Sequence, residues 1–452
     1  MLLERVESTG LAHYSYIIGD GREAVVIDPR RDCGVYIELA MREGLRITTI
    51  LETHRNEDYV VGSCALAART GAMIWHADGQ LDYKYGEPVE PGQEWRIGQL
   101  RLRALDTPGH TLGSVSYLLH DQDGVPWIVF TGDTLFAGDV GRVDLVDVTR
   151  TDEMADHLYD SIFGTLLPLG DEIIVCPGHG SGSVCGMAIA ERAWTTIGLE
   201  RRHNPRLQHT TRDDFVASVA HVHERPPYFR RMEALNLSGA DVPASFPYAR
   251  PMGPDEFENV SEQAIILDTR MELGYSAAHV PGAVSIWLGG LSRFVGWFVP
   301  YDQQIKLVNE NEGSDATVRQ LLRLGYDDVA GILSGGMLAW HNSGRISQSI
   351  STITVQRLCY LLDERANAWI LDVRSDSELA GQGEIGGAYH IHLTQLVERM
   401  DEVPRDRPVM VFCGSGLRSM IAASLLQRQG WDDVTVVLGG LAGWSSITCP
   451  LR

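Results

Sequence analysis

The chain has 452 residues, with 38 lysines and arginines against 60 aspartates and glutamates, and a formal net charge of −22. So acidic a chain is not expected to bind nucleic acid or an anionic membrane, because both require basic surface. Its length predicts about three domains, and no apolar run reaches the ~18 residues of a membrane span. The start, MLLERVESTG, lacks the apolar core of a signal peptide. Seven scattered cysteines argue against a disulfide framework and predict a reducing cytoplasm.

The first half of the chain alternates strand and helix patterns, beginning with a hairpin in YSYIIGDGREAVVIDP that turns at Asp20-Gly21. Apolar runs then end repeatedly in loops that carry histidine or aspartate, in ITTILETHRNEDY, LRLRALDTPGHT, WIVFTGDTLF and EIIVCPGHG. Because strand ends deliver polar side chains to one edge of a sheet, these loops predict a shared site. The candidate residues are His54, Asn56, Asp58, Tyr59, His110, Asp133 and His179.

The second half follows a predicted proline-containing linker at 243–254 and contains an internal repeat. IILDTR matches WILDVR, and GYDDVAGILSGGMLAW matches GWDDVTVVLGGLAGW. Asp268 and Asp372 are 104 residues apart, as are Gly336 and Gly440. The repeat therefore predicts two tandem domains, each with a small parallel α/β sheet.

The second copy carries a cysteine in a loop suited to sulfur chemistry. VMVFCGSGLRS predicts a buried strand, then Cys413, a glycine-containing loop and a helix that begins near Ser419. Backbone N–H groups, the helix dipole and Arg418 would all favour negative charge at the cysteine sulfur. This pattern suits a nucleophile or a bound persulfide.

The first copy lacks that cysteine. Counting back from Gly325 and Gly430 aligns Val308 with Cys413, and acidic residues follow in VNENEGSD. Acidic side chains would repel an anion. We therefore expect the first copy to have a structural role and to carry no sulfur.

The motifs of the first half resemble the metallo-β-lactamase superfold, whose ordered pattern is THxHxDH, then GHT, GD and a final GH. The resemblance implies an αββα sandwich domain at residues 1–245. The superfold commonly holds two metals. Asn56 and Tyr59 stand where histidine ligands are expected, so each of the two sites has lost one imidazole. Neither an amide nor a neutral phenol is a good zinc ligand.

The ligands that remain are His54, His110 and Asp133. Two imidazoles and one carboxylate suit non-haem Fe(II) with open coordination positions. This trio is the iron site of persulfide dioxygenases, a branch of the superfold. The resemblance thus implies one Fe(II) per chain, with zinc as the alternative in the purified protein. Asp58 and His179 would then orient ligands or water.

The resemblance also assigns two further residues. Arg142, in GDVGRVDL, would contact the substrate, because a guanidinium suits a carboxylate or phosphate on a thiol carrier. A surface salt bridge is the alternative role for this arginine. Cys185, in GSGSVCG, is either a second sulfur-handling thiol or a small buried side chain.

The repeat resembles the rhodanese family of sulfurtransferases, which implies an inactive domain at 254–345 and an active one at 352–452. By this resemblance Cys413 is the sulfur-carrying nucleophile and Arg418 acts beside it. The anion-binding loop would consist of Gly414, Ser415, Gly416 and Leu417.

The whole chain thus resembles a persulfide dioxygenase–rhodanese fusion. The implied reactants are a low-molecular-weight thiol persulfide, O₂, and sulfite or thiosulfate. The thiol carrier, the direction of sulfur transfer and a homo-oligomeric state stay open. Three alternatives remain: a zinc thioester hydrolase of the glyoxalase II kind, a sulfurtransferase with an idle metal domain, and a persulfide sensor or carrier without turnover.

Overall fold

The structure is a computed structural model that describes residues 1–186, 188–192, 194–209, 211–243, 248–259, 264–310, 314–364 and 368–444. The chain divides into two compact units. The first comprises Met1–Pro247 and Arg319–Tyr326, and the second comprises Tyr248–Val318 and Asp327–Arg452.

Two six-stranded sheets form the first unit. Their strands are β1 Leu2–Ser8, β2 His13–Asp20, β3 Glu23–Ile27, β4 Arg46–Leu51, β5 Met73–His76, β6 Glu87–Pro88, β7 Glu94–Ile97, β8 Leu100–Asp106, β9 Val115–His120, β10 Pro126–Gly132, β11 Ile174–Pro177 and β12 Thr195–Thr196. The first sheet has the order β1-β2-β3-β4-β5-β6 and the second the order β12-β11-β10-β9-β8-β7.

The described part of the first unit also contains six α-helices. They are α1 Gly34–Arg42, α2 Ser63–Thr70, α3 Thr151–Tyr159, α4 Ile197–His203, α5 Arg212–Val219 and α6 Phe229–Ser238. Between the sheets, buried side chains such as Ile18, Leu102 and Phe130 pack into one apolar cluster. A second cluster joins α1 and α2 to the first sheet, and a third joins α3 and α5 to the second sheet. The predicted αββα sandwich is therefore confirmed.

The second unit holds two five-stranded parallel sheets with the same strand order, β13-β17-β16-β14-β15 and β18-β22-β21-β19-β20. The strands are β13 Pro251–Met252, β14 Ala264–Asp268, β15 Val284–Ser285, β16 Gln304–Val308, β17 Val329–Leu333, β18 Ser351–Thr354, β19 Trp369–Asp372, β20 Tyr389–His390, β21 Val409–Phe412 and β22 Val434–Leu438. The remaining helices are α7 Pro254–Glu258, α8 Glu272–Ala277, α9 Leu291–Phe298, α10 Ser314–Arg323, α11 Gly336–Asn342, α12 Val355–Asp363, α13 Asp376–Gln382, α14 Leu417–Arg428 and α15 Gly440–Trp444. The predicted tandem α/β repeat is confirmed.

Two boundaries differ from the sequence-based expectations. The predicted linker at 243–254 contains β13, whose Pro251 is tolerated because the strand lies at a sheet edge; residues 244–247 are outside the described part. Helix α14 begins at Leu417, before the predicted Ser419. Gly416, with a φ of 109°, turns the chain sharply at the helix N-cap, so the helix starts directly after it.

Free thiols are present at Cys33, Cys64, Cys176, Cys185 and Cys413. Cys359 takes part in a disulfide, which the sequence did not predict. Among the helices of the described ranges, none combines the length and the apolar character that a membrane crossing needs.

Candidate metal centre and cysteine loop

The predicted ligand residues meet at one edge of the two sheets of the first unit. His54 follows β4, His110 follows β8, Asp133 follows β10 and His179 follows β11, and all four side chains are buried. The Nε2 atoms of His54 and His110 lie 3.8 Å and 3.6 Å from Asp133 Oδ2. The structure thus brings together the trio that the resemblance implies as metal ligands.

The hydrogen bonds of His54 and His110 leave Nε2 of each ring for another partner. His110 Nδ1 lies 2.9 Å from the carbonyl oxygen of Arg142, which can only accept. His54 Nδ1 lies 2.9 Å from the Thr53 hydroxyl, whose own hydrogen goes to Asp28. Neither Nε2 has a hydrogen-bond partner among the described residues. Two buried imidazole nitrogens without hydrogen bonds, beside a carboxylate, fit a bound divalent metal.

His179 and Asp58 form a chain of contacts behind Asp133. His179 Nδ1 donates to the Asp133 carboxylate at 2.8 Å, and its Nε2 lies 3.0 Å from Asp58 Oδ2. Burial alone would raise the pKa of Asp133, but the neighbouring histidines, His179 foremost, hold that pKa well below its ordinary value. The carboxylate therefore stays ionised. Asp58, His179 and Cys185 also offer a second group of ligand atoms that lie within 4.8 Å of one another.

Asn56 and Tyr59, at the positions of the missing histidines, make other contacts. Asn56 Nδ2 donates to the carbonyl oxygen of His54 at 3.3 Å. The ring of Tyr59 packs on His13 with 4.0 Å between the ring centroids. Burial raises the pKa of Tyr59 well above its ordinary value, so the side chain stays a neutral phenol. Neither contact resembles the role of a metal-binding imidazole.

Glu57, which the sequence analysis passed over, enters the same pocket. Its side chain is fully buried, and Oε1 lies 3.0 Å from His110 Nε2. Burial alone would lower the pKa of His110, but the Glu57 carboxylate raises it to about 9. Glu57 occupies a variable position of the THxHxDH pattern, so motif matching ignores it. The available signal was an acidic residue directly after the missing histidine at Asn56.

Arg142 is buried, which excludes the alternative of a surface ion pair. Its guanidinium donates two hydrogen bonds to Asp144, at 2.6 Å and 2.8 Å. It also lines a cleft beside Cys185 that includes Arg206 and His223. Both arginines of the cleft are paired with carboxylates, Arg142 with Asp144 and Arg206 with Asp139. Contact between Arg142 and an anionic thiol carrier therefore stays a prediction.

Cys185 is one of the residues that line this cleft. Its side chain is fully buried and packs in a small apolar cluster with Phe136 and Ile189. Burial raises the pKa of the Cys185 thiol well above its ordinary value. The group is therefore a neutral thiol at pH 7, and it donates to Glu57 Oε1 at 4.0 Å. A neutral thiol is a weak nucleophile, which favours the structural role for Cys185.

In the second unit, Cys413 directly follows β21, and its loop is held by the segment after β22. Leu441 N–H donates to the Cys413 carbonyl oxygen at 3.0 Å. Gly440 has a φ of 45°, and a Cβ there would lie 2.1 Å from the same oxygen, so this position excludes any side chain. Gly416 N–H donates to Cys413 Sγ at 3.1 Å. The segment after β22 thus holds the loop in place, and the backbone N–H of Gly416 is directed at the sulfur.

Arg418 is paired with a carboxylate that the sequence analysis did not identify. Its two terminal nitrogens each lie 2.6 Å from an oxygen of Glu378. Glu378 is itself positioned by a capping box with Ser375 at the start of α13. A Cβ at Gly414 would lie 2.9 Å from Arg418 Nη2, so the guanidinium lies against the loop backbone. Glu378 therefore fixes Arg418 beside the loop and partly neutralises its charge.

We expect the Glu378→Gln variant to be less stable than the wild type at about pH 7, by about 1 kcal/mol after allowance for solvent screening. The hydrogen bond from Arg418 lowers the pKa of Glu378 to about 2. A carboxyl with a lowered pKa stabilises the folded chain above its unfolded pKa, and this contribution disappears as the pH falls from about 4.5 towards 2. Calorimetry at about pH 7 and about pH 3 measures the effect. A melting-temperature difference that is equal at both pH values would contradict it.

The predicted equivalence between Val308 and Cys413 is wrong by one residue. Val308 ends β16 and Phe412 ends β21, and each pairs with the aspartate that ends the neighbouring strand, β14 or β19. Val308 therefore corresponds to Phe412, and Asn309 corresponds to Cys413. Counting back from Gly325 and Gly430 gives the wrong equivalence, because the segment from the end of β16 to Gly325 is one residue shorter than the segment from the end of β21 to Gly430. The absence of a cysteine from the corresponding position is unchanged.

Comparison with known proteins gives matches to both halves of the chain. The family model described as the metallo-beta-lactamase superfamily matches residues 8–179, and the rhodanese-like domain matches 254–343 and 355–447. The bovine protein (Bos taurus) named "Persulfide dioxygenase ETHE1, mitochondrial" is 30% identical over 218 residues, which cover 46% of this chain and 76% of the relative. "Hydroxyacylglutathione hydrolase GloC" of Haemophilus influenzae is 29% identical over 214 residues, which cover 43% of this chain and 91% of the relative.

A solved structure resembles a larger part of the chain. A metallo-beta-lactamase from Staphylococcus aureus subsp. aureus COL is 30% identical and covers 74% of this chain and 98% of its own, with a TM-score of 0.65. The named dioxygenase and the named hydrolase are almost equally similar to this chain. Similarity alone therefore does not choose between the two reactions.

Proposed function

Because this chain belongs to the metallo-β-lactamase superfamily and carries two rhodanese-like domains, we propose that it is a non-haem iron persulfide dioxygenase coupled to a sulfurtransferase. One observation carries the proposal. The Nε2 atoms of His54 and His110, which make no hydrogen bond among the described residues, face Asp133 in a buried pocket. Two imidazoles and one carboxylate suit a single Fe(II) with open positions.

The contacts of Asn56 and Tyr59 support a single metal over a dinuclear hydrolase site. Asn56 is bonded to backbone, and Tyr59 is a neutral phenol packed on His13. In this proposal Asp58 and His179 hold Asp133 in place, because His179 donates one ring N–H to its carboxylate. Removing such outer partners commonly lowers metal affinity 10- to 100-fold.

The proposed reaction converts a thiol persulfide, O₂ and water into the free thiol, sulfite and two protons. The outer sulfur loses four electrons and O₂ gains four, so no further oxidant is needed. Bound Fe(II) would supply open positions for both reactants and relay the electrons between them. The chain orients the two imidazole rings. The Arg142 carbonyl contacts Nδ1 of His110, and the Thr53 hydroxyl contacts Nδ1 of His54. The cleft beside Cys185, which Arg142 lines, would take the anionic part of the thiol carrier.

The proposed sulfur transfer takes place at Cys413. Its sulfur attacks the sulfane sulfur of a donor, and the donor leaves as a thiol or as sulfite. The resulting cysteine persulfide passes its outer sulfur to an acceptor; with sulfite as acceptor the product is thiosulfate and Cys413 is regenerated. The Gly416 N–H donates to Sγ, and Arg418, bonded to Glu378, lies against the loop backbone. The loop of Gly414, Ser415, Gly416 and Leu417 would hold the bound anion.

Oxygen uptake by iron-loaded protein supplied with glutathione persulfide tests this function. We expect about one O₂ consumed per sulfite formed, and about one iron per chain. Hydrolysis of S-lactoylglutathione by the same preparation is measured in parallel. Two zinc ions per chain, thioester hydrolysis and no oxygen consumption would overturn the proposal in favour of a hydrolase of the glyoxalase II kind.

A further inference from the structure

A carboxylate lies in the metal-binding loop directly after the position that lacks an imidazole. Asn56 bonds to backbone, while the next side chain, Glu57, is fully buried in the pocket. Glu57 Oε1 lies 3.0 Å from His110 Nε2, and Oε2 has no hydrogen-bond partner among the described residues. A buried carboxyl oxygen without a partner is costly, and a metal bound at this position would satisfy it.

The contact between Glu57 and His110 has the spacing of two ligands on one ion. His110 contacts the Arg142 carbonyl oxygen through Nδ1, so Nε2 is the ring nitrogen left to bind a metal. At 3.0 Å from Glu57 Oε1, this Nε2 still lacks hydrogen-bond geometry. Two ligand atoms, each about 2.1 Å from a metal and at right angles to one another, are about 3.0 Å apart. One ligand atom from each of His54, Glu57 and His110 lies within 4.8 Å of the others.

We propose that Glu57 is a fourth protein ligand of the metal centre and takes the place of the imidazole that the loop lacks at Asn56. This inference rests on the metal site of the proposed function and extends it. Two carboxylates among four protein ligands would balance the two positive charges of Fe(II). A six-coordinate ion would keep two open positions, enough for one persulfide sulfur and O₂.

A different role for Glu57 predicts the opposite effect on metal binding. If Glu57 were only an ion-pair partner of a protonated His110 in the metal-free protein, the metal would have to displace it. Removing the carboxylate would then leave metal affinity unchanged or increase it. If Glu57 is a ligand, the same change lowers the affinity. The sign of the change in affinity therefore decides between the two roles.

The test compares Glu57→Gln with wild type by anaerobic chelator competition for Fe(II) and Co(II), with thermal melts to verify folding. We expect affinity to fall at least about tenfold and the visible spectrum of the Co(II) protein to change. Glu200→Gln is the matched control, because Glu200 is also fully buried but bonds Gly138 and Asn204 outside the pocket. The control is expected to bind both metals as the wild type does. Equal or tighter binding by the folded Glu57→Gln protein overturns the inference.

A second variant covers the case in which Glu57→Gln does not fold. Glu57→Ala opens space in the pocket, and acetate then offers the missing carboxylate. We expect weakened Co(II) binding that added acetate restores, and no acetate effect on the wild type. Affinity equal to that of the wild type overturns the inference. These readouts do not involve O₂, so an absence of oxygen uptake would refute the proposed function without touching the ligand role of Glu57.

Discussion

The His110→Ala variant is expected to lose metal and persulfide-dependent oxygen uptake while keeping sulfur transfer at Cys413. The change removes one of the two imidazoles that face Asp133 and leaves the Arg142 carbonyl without its partner. Loss of a ligand should lower metal affinity about 100-fold or more. Bound iron and oxygen consumption measure the first effect, and sulfane-sulfur transfer from thiosulfate to a thiol measures the second.

His157→Ala is a suitable control for this experiment, because His157 lies on α3 with an exposed side chain. It should bind iron and consume oxygen as the wild type does. Full oxygen uptake by His110→Ala would refute the assignment of the metal centre. If all persulfide turnover survived the change, the chain would be a sulfurtransferase whose metal domain is idle.

The Cys413→Ser variant should show the reverse pattern. Sulfite formation from persulfide is expected to continue, while sulfur transfer falls at least about 10³-fold, because a hydroxyl cannot carry sulfane sulfur. Sulfite should therefore accumulate at the expense of thiosulfate. The two products can be separated and quantified in one reaction mixture after thiol derivatisation.

Asn309→Ser provides the matched control, since Asn309 holds the position in the first copy that corresponds to Cys413. It should leave both products at wild-type levels. Thiosulfate formation that is unaffected by Cys413→Ser would remove the sulfurtransferase from the proposal. Many product molecules per wild-type chain would in turn exclude a sensor or carrier without turnover.

The sequence predicted those parts of the site that are encoded locally. Each of His54, His110 and Asp133 follows an apolar strand, and strand ends meet at a sheet edge, so their convergence followed from pattern alone. The cysteine loop was predictable for the same reason, because strand, loop and helix are consecutive in the chain. The tandem sheets followed from the internal repeat.

The contacts that the sequence did not predict depend on residues brought together by folding or on a local shift of register. Arg418 and Glu378 are 40 positions apart, and only the placement of α13 beside α14 brings them into contact. Glu57 was missed because a motif records identities and not the direction of a side chain. The alignment of Val308 with Cys413 was wrong because the two copies differ in length by one residue between this loop and the glycines used as reference. All equivalences counted back past that difference are therefore shifted by one position.

The glycine that fixes the Cys413 loop has a counterpart in the copy that lacks the cysteine. Gly440 begins α15 with a φ of 45°, and Gly336 begins α11 with a φ of 55°. The first copy thus has the same backbone turn as the second, although its sequence has no cysteine at the position of Cys413. For protein engineering, this makes the first copy a prepared acceptor for a transplanted cysteine loop, through which one polypeptide could hold two exchangeable sulfur atoms.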